Sequence, residues 1–292
     1  MRDKILDMLY LILSVICSVA VGIIFKVVRR YPVSIMQIVM WNYVFALLLC
    51  YFVFNPTPSA LGNDAPWPIY ISLAILMPSI FLFLAASIKH MGIVKTDSAQ
   101  RLSLIIPIIA AYFLFKEDFN LFKIIGLLIG FPAIILILSK SDAESRNRKW
   151  IFPTVVLIGF GIVDILFKQV ALYTDVPYTT SLFIVFCGAL VVATLFVISD
   201  IVTCKTKMLT TNVAFGALIG FFNFGNILFY LKAHHAFAEN PSTVFASMNI
   251  GVIILGSLAG VLVFKERMSV LNYAGIFLAL AAILFITLSQ VY

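Results

Sequence analysis

Charge is what this sequence has least of. Only 11% of its 292 residues are Asp, Glu, Lys or Arg, while 63% are hydrophobic, and the mean hydropathy is +1.11. A soluble domain carries about 25% charged residues, so this chain lacks the polar surface to coat a globule in water. It is suited instead to lipid on most sides. Long polar loops are missing as well, which leaves no room for a soluble domain. The four cysteines, Cys17, Cys50, Cys187 and Cys204, stand singly with no Cys-x-x-Cys and no histidine spacing beside them, and read as packing residues. Histidine is scarce, and His234 and His235 are adjacent. Neighbours on a helix project about 100° apart, a poor chelate, so no metal and no cofactor are expected. The formal charge of +7 punctuates hydrophobic runs instead of forming a stripe, so no nucleic-acid partner is expected.

What the sequence does have is a series of long apolar runs. A helix needs about 20 apolar residues to cross the hydrocarbon core. Runs and breaks give ten spans, at residues 5–28, 33–54, 67–88, 93–115, 121–139, 150–173, 177–201, 211–233, 241–264 and 270–289. The first is too long for a signal-peptide core and no small-residue cleavage site follows it, so it is expected to be a spanning helix. Breaks such as "RRYP" (29–32), "NPTPSALGNDAPWP" (55–68) and "SKSDAESRNRKW" (139–150) carry turn and interface chemistry. Trp67 and Trp150 stand where the headgroup layer favours aromatic residues. The expected class is an all-α, multi-pass integral membrane protein.

The two halves echo each other. "VGIIFKVV" (21–28) returns as "VDILFKQV" (163–170), and "LFKEDFNLFKIIGLLIG" (114–130) lines up with "VFKERMSVLNYAGIFLA" (263–279). The second alignment pairs Glu117 with Glu266 and Gly126 with Gly275, and places Asn120 and Ser269 as N-caps of the helices that follow. The division is a first five-helix repeat at 1–139, a connecting loop at 140–149 and a second five-helix repeat at 150–292. Because each half holds an odd number of spans, the second must enter the membrane from the opposite side, giving ten transmembrane helices as two inverted repeats. Gly126/Gly130, Gly216/Gly220 and Gly256/Gly260 have the spacing of tight helix contacts. Pro78, Pro107 and Pro132 interrupt spans and are expected to kink them.

This layout resembles the drug/metabolite transporter superfamily in its EamA-type branch. The features that carry the resemblance are the lysines near the ends of spans one and six, Pro107 in span four, and the Lys-Glu turns after spans four and nine. It covers essentially the whole chain and implies a secondary transporter with a central cavity walled by spans 1, 3, 4, 6, 8 and 9. There are departures. Asn42 stands where relatives carry an arginine, and Gly256 is the counterpart of Pro107. Small multidrug relatives carry a drug-binding glutamate where Ser18 and Phe160 stand here, which argues against a cationic drug as substrate.

Polar residues inside spans are the candidate substrate-binding residues. Asp164 lies near the middle of span six, with Lys168 one turn later on the same face. A charge at a helix centre costs roughly 2.5–3.5 kcal/mol on insertion scales, so the pair reads as a substrate or proton site. The bland alternative is a self-neutralising ion pair that locks helices together. Lys26 either snorkels to the interface or, by repeat equivalence with Lys168, serves the opposite face. Asp97, Gln100 and Arg101 share one face of span four, and Gln100 matches Asn249 of span nine. Asn223, Asn226, Tyr230 and His234 form one stripe on span eight, and Asn42 with Tyr43 lies in span two. The Glu117 and Glu266 turns read as structural, near the positive ends of spans five and ten.

The expected function is alternating-access transport of a small polar metabolite in the cytoplasmic (inner) membrane. Lys26, Arg101, Lys168 and Lys232 outnumber Asp97 and Asp164 in the spans, which favours an anionic or zwitterionic substrate such as an amino acid. The expected partners are that small-molecule substrate, membrane lipid, and protons as a coupling ion at Asp164. A lipid-intermediate flippase on the same fold is the alternative. A membrane-embedded enzyme would need a carboxylate pair, a metal constellation or an activated nucleophile, none of which the sequence offers. Orientation is divided. Arg2, Lys4, Lys116, Lys123, Lys168 and Lys232 fall on the side of the N-terminus, while most of the 20 Lys and Arg fall opposite, which by the positive-inside rule puts both termini outside. The resemblance implies both inside.

Overall fold

The computed structural model describes residues 2–28, 31–57, 61–62, 65–91, 93–138, 151–204, 207–265 and 269–289. The connecting loop 140–149, Trp150 and Glu266 lie outside the described residues. All regular structure among those described is α-helical: α1 (Arg2–Val28), α2 (Ile35–Phe54), α3 (Trp67–Met91), α4 (Ile93–Leu102), α5 (Ile105–Phe113), α6 (Leu121–Leu138), α7 (Ile151–Leu172), α8 (Tyr178–Cys204), α9 (Thr210–Ala236), α10 (Pro241–Phe264) and α11 (Val270–Leu288). Eight of these are long and apolar enough to cross a membrane, and Ala99–Phe113 and Leu121–Leu136 are shorter apolar stretches. The outward faces are apolar, with Phe52, Leu128, Leu262 and Phe277 each more than two-thirds exposed. That is the surface a lipid-facing bundle requires.

Span four is where the structure departs from a single continuous helix. It is divided into α4 and α5 by a turn at Ser103–Leu104. Pro107 lies four residues after Ser103; it has no N–H to give the Ser103 carbonyl, and its ring crowds that group. The carbonyl instead accepts from the Ile106 N–H at 3.0 Å, a tighter turn, and the Ser103 hydroxyl donates to the Gln100 carbonyl at 2.6 Å. Pro78 and Pro132, by contrast, sit inside unbroken helices α3 and α6. The N-caps follow the sequence. Asn120 accepts from the Lys123 N–H at 2.9 Å, and Ser269 forms a reciprocal capping box with Asn272.

The helices pack in a characteristic set of pairs. α6 lies along α11; α9 packs on α1 and α2; α3 packs on α7 and α8; α2 also meets α8; and α1 with α10 is matched by α7 with α4 and α5. Polar contacts fix which helix ends meet. At one end, the Ser34 N–H donates to Asn212 (3.3 Å), Asn212 donates to Gln37 (2.6 Å), Gln37 donates to the Lys207 carbonyl (3.0 Å), and His90 stacks on Phe152. At the other, Tyr70 shares a hydrogen bond with Ser181 (2.7 Å), Asn120 donates to the Ser289 carbonyl (2.9 Å), and the Lys232 ammonium lies over the Tyr10 ring. Residues 10 and 289 therefore share an end.

Small residues set the closest approaches. A Cβ on Gly216 would overlap the Trp41 Cβ, one on Gly220 would come within 2.7 Å of the Asn42 carbonyl oxygen, and one on Gly126 within 2.7 Å of the Ile286 side chain. Gly256 is a correction: a Cβ there meets nothing within 4 Å, so it does not belong to a tight contact. Gly216→Val should push α9 off α2 and lower stability by about 1–3 kcal/mol, the usual penalty of overpacking, whereas Gly256→Ala should leave it unchanged. Thermal unfolding of the purified protein in detergent checks this. Equal melting temperatures for the two variants would show that glycine does not set the α2–α9 spacing.

Candidate functional site

A cavity of about 550 Å³ occupies one half of the bundle, within the size range of small-molecule sites. Its floor is set at mid-depth by Asp164 and Phe167 of α7, Asn223, Asn226 and Tyr230 of α9, and Asn249 of α10. From there it runs along Phe25 and Val28 at the end of α1, Tyr31 and Val33 before α2, Leu84 and Ala85 of α3, and Gln100, Arg101 and Ser103 where α4 ends. The walls therefore come from the six spans that the resemblance implies, with the approach to α2 added. No lining residue belongs to the last turn of α7 or α9. The described lining thus runs from mid-depth toward the end where α1 meets α2.

Of the candidates named from sequence, Gln100, Arg101, Asp164, Asn223, Asn226, Tyr230 and Asn249 are brought together in this cavity. The Tyr230 hydroxyl donates to the Asp164 carboxylate at 2.9 Å. Ser14 of α1 donates to the Asn226 side-chain oxygen at 2.9 Å, which fixes that amide against α1. The Asn223 side-chain nitrogen is buried with no hydrogen-bond partner among the described residues, a donor that a ligand or water can satisfy. Asn249 spends a donor on the Phe245 carbonyl of its own helix at 3.1 Å. Phe25, Phe81, Phe160 and Phe167 line the same space. Among the described residues, the site thus offers a guanidinium, a carboxylate, amides and a broad aromatic wall.

The other candidates sit elsewhere. Asn42 and Tyr43 are buried in α2, away from the lining, and the Asn42 side-chain oxygen and the Tyr43 hydroxyl have no hydrogen-bond partner among the described residues. The Asp97 side chain lies outside the described residues. Lys26 is half-buried in the last turn of α1, beside the lining residue Phe25.

Lys168 does not pair with Asp164, so the alternative of a self-neutralising i,i+4 ion pair does not hold. Its ammonium turns away from the cavity and donates to the carbonyls of Ala238 (2.7 Å), His234 (3.2 Å) and Phe237 (3.5 Å). These carbonyls lie at and just beyond the end of α9, the negative pole of that helix, and a cation is at home there. Beside it the Glu117 carboxylate accepts from the Ser242 N–H (2.8 Å) and hydroxyl (2.6 Å) at the positive start of α10, and forms an ion pair with Lys123. Lys123 also donates to Asn240 at 3.0 Å. Lys168, Glu117, Lys123 and Ser242 are all at most 3% exposed.

This cluster is what sequence reasoning missed. Glu117 stood out only as half of a repeated Lys-Glu turn, and its partner Ser242 lies 125 residues away. No local spacing could have shown that contact. Among the described residues, no three His, Cys, Asp or Glu side chains group as metal ligands.

The family model described as "EamA-like transporter family" matches residues 6–139. An uncharacterized protein of Haemophilus influenzae is 39% identical over 282 residues, covering 94% of this chain and 95% of its own. The chain belongs to the EamA-like transporter family. It is an integral, multi-pass membrane protein of the drug/metabolite transporter superfamily. A crystal structure of a protein with 12% identity superposes with a TM-score of 0.73, covering 97% of this chain and 96% of that one, a likeness of fold. In this EamA-type protein, the buried cluster should contribute stability as a unit. Glu117→Gln would strand the Lys123 charge and lower stability by about 3–5 kcal/mol, whereas Asp118→Asn, on an exposed neighbour, should change nothing. Chemical unfolding of the two variants decides it. Equal stabilities would mean that the Glu117 ion pair holds nothing in place.

Proposed function

We propose that this protein is a secondary transporter of a small zwitterionic metabolite, of the size and kind of an amino acid, working by alternating access in the cytoplasmic membrane. One observation carries this reading: a mid-depth cavity that holds both Arg101 and Asp164 and whose described lining is confined to one half of the bundle. A guanidinium suits a substrate carboxylate and a carboxylate suits a substrate ammonium. Purely anionic substrates are less well served than the sequence implied, because Lys168 is committed to the end of α9 and faces away from the cavity. The aromatic wall adds room for an apolar substituent.

The helix pairings support ten spans in two inverted repeats, with α4 and α5 together forming the fourth span. Exchanging the first half for the second turns α1–α9 into α7–α3, α2–α9 into α8–α3, and α1–α10 into α7 with α4 and α5; α2–α8 and α6–α11 map onto themselves. The family model ends at residue 139, the boundary set for the first repeat. A molecule built this way has two conformations related by the exchange, one open at each end. Asp164, which meets the Tyr230 hydroxyl and, among the described residues, no cation, would hold either a proton or the substrate ammonium. That competition would couple the two movements.

A thermal-shift screen of the purified protein against amino acids, organic acids, sugars and amines, followed by uptake of the hits into liposomes, tests the reading. Zwitterions should stabilise and be transported. Asp164→Asn should cut the initial rate about tenfold or more, as loss of a charge-assisted contact of ~1.5–3 kcal/mol requires. Stabilisation by sugars alone, or wild-type uptake by Asp164→Asn, would contradict it.

A further inference from the structure

Of two matching positions in the repeat, one carries a carboxylate and the other carries no side chain. The stretch "VDILFKQV" (163–170) repeats "VGIIFKVV" (21–28), so Asp164 of α7 and Gly22 of α1 stand at equivalent places. Both line the same cavity. On α1 the lining residues are Ser18, Val21, Gly22, Phe25 and Val28, the rhythm of a single helix face with Gly22 at its centre. A Cβ added to Gly22 meets nothing within 4 Å among the described residues. On α7, by contrast, a Cβ on Gly159 would stand 2.9 Å from Ile80, and one on Gly161 2.7 Å from Ile106. Those glycines let helices approach; Gly22 does not. Glycine inside a helix is less favourable than alanine, and no close contact accounts for it here. What it provides is room in the cavity.

That room is apolar. Phe25, one turn after Gly22, stacks on Phe81 of α3 with ring centroids 5.8 Å apart. Phe160, one turn before Asp164 on α7, belongs to the same lining, as do Val21 and Ile80. The polar groups gather elsewhere, where the Tyr230 hydroxyl meets Asp164 at 2.9 Å and Asn223, Asn226 and Asn249 come together. The cavity is thus divided into a polar part around Asp164 and an apolar part along Gly22 and Phe25.

We infer that the apolar part is a subsite for the substrate's side chain, and that Gly22 is the specificity-determining residue that sets its size. The inference rests on the transporter reading above and deepens it: the substrate is a zwitterion with an apolar substituent of a few carbons. Its single ammonium meets the carboxylate of Asp164, which leaves the matching face of α1 to the apolar substituent. Burial against Phe25, Phe81 and Phe160 supplies about fourfold in affinity per methylene until the space is full. Further length then meets the walls. The subsite therefore selects by length, favouring a medium chain over both a short one and a lipid-like one.

The test uses the full-length purified protein and a homologous series of unbranched α-amino acids, from alanine through norleucine to 2-aminodecanoic acid. Affinity is measured by calorimetric titration in detergent, and wild-type uptake into liposomes is measured separately. In the wild type, affinity should rise about fourfold per methylene from alanine to norleucine and then level off. Gly22→Leu should leave alanine within about twofold and weaken norleucine about tenfold or more, the loss expected when two methylenes are no longer buried. Gly22→Ala should weaken norleucine about fourfold; it favours the helix, and it decides the matter if Gly22→Leu does not fold. Gly256→Leu, at a glycine equally open but off the lining, should match the wild type throughout. Identical series in the wild type and the Gly22 variants overturn the inference and leave the transporter reading standing. A loss in Gly22→Leu as large for alanine as for norleucine overturns it too, because the whole site is then disturbed. Affinity that climbs without levelling up to 2-aminodecanoic acid points to a lipid-like occupant and also overturns it. If no member of the series binds the wild type or is taken up by it, the transporter reading itself falls, and this inference with it.

Discussion

The ammonium of Lys168, held by the carbonyls of His234, Phe237 and Ala238, ties α7 to the end of α9 and the connection that follows it. In a bundle with so little charge, a buried cation without partners would be intolerable, so the residue must find acceptors wherever α7 and α9 come together. The nearest unspent acceptors in an all-helical protein are helix C-termini. Glu117 obeys the same rule with the opposite sign, seated on the N–H of Ser242 at the start of α10. The two charges meet the two poles of one helix–helix connection, and the described cavity lining lies away from it, toward the opposite ends of these helices.

The break in the fourth span follows from a related constraint. A proline frees a backbone carbonyl, and in hydrocarbon a freed carbonyl has no water to turn to. Here the chain tightens at Ser103–Leu104, and Gln100, Arg101 and Ser103 at that break all line the cavity. Polar backbone, polar side chains and the open space share one location because each makes the others affordable. Asn223 and Asp164 occupy the same depth on α9 and α7 for the same reason: a wet cavity is the one place at mid-membrane where an amide donor or a carboxylate can be left for a ligand.

Much of this was legible in the sequence, and the limits of legibility have physical causes. Long apolar runs placed the helices to within a few residues, because length and hydropathy largely decide them, except that the fourth run is broken into α4 and α5 at Ser103–Leu104. The Gly216/Gly220 contact could be read from spacing, whereas Gly256 could not be told from its look-alikes without knowing what faces it. The stripe of Asn223, Asn226 and Tyr230 pointed to a cavity wall because helical periodicity is local. Asn42 and Tyr43 carried the same kind of signal and lie buried off the cavity, since sequence shows that a helix has a polar face and not what that face meets. The misreading of Lys168 is the most informative. Four residues from Asp164 on one helix, it had an obvious local partner, yet its long side chain reached carbonyls 66 to 70 residues away that no periodicity announces.

The central claim is that the two ends of the bundle open in opposition around one cavity. Spin labels on Leu172 and Glu239, exposed residues on either side of the Lys168 contacts, and on Tyr31 and Ile151, exposed at the end where α1 meets α2, give one distance across each end. Pulsed dipolar spectroscopy in lipid, with and without a transported zwitterion, should show a short and a long population for each pair. Whatever condition lengthens the Leu172–Glu239 distance should shorten the Tyr31–Ile151 distance. Distances that stay single, or that lengthen together, would contradict the account.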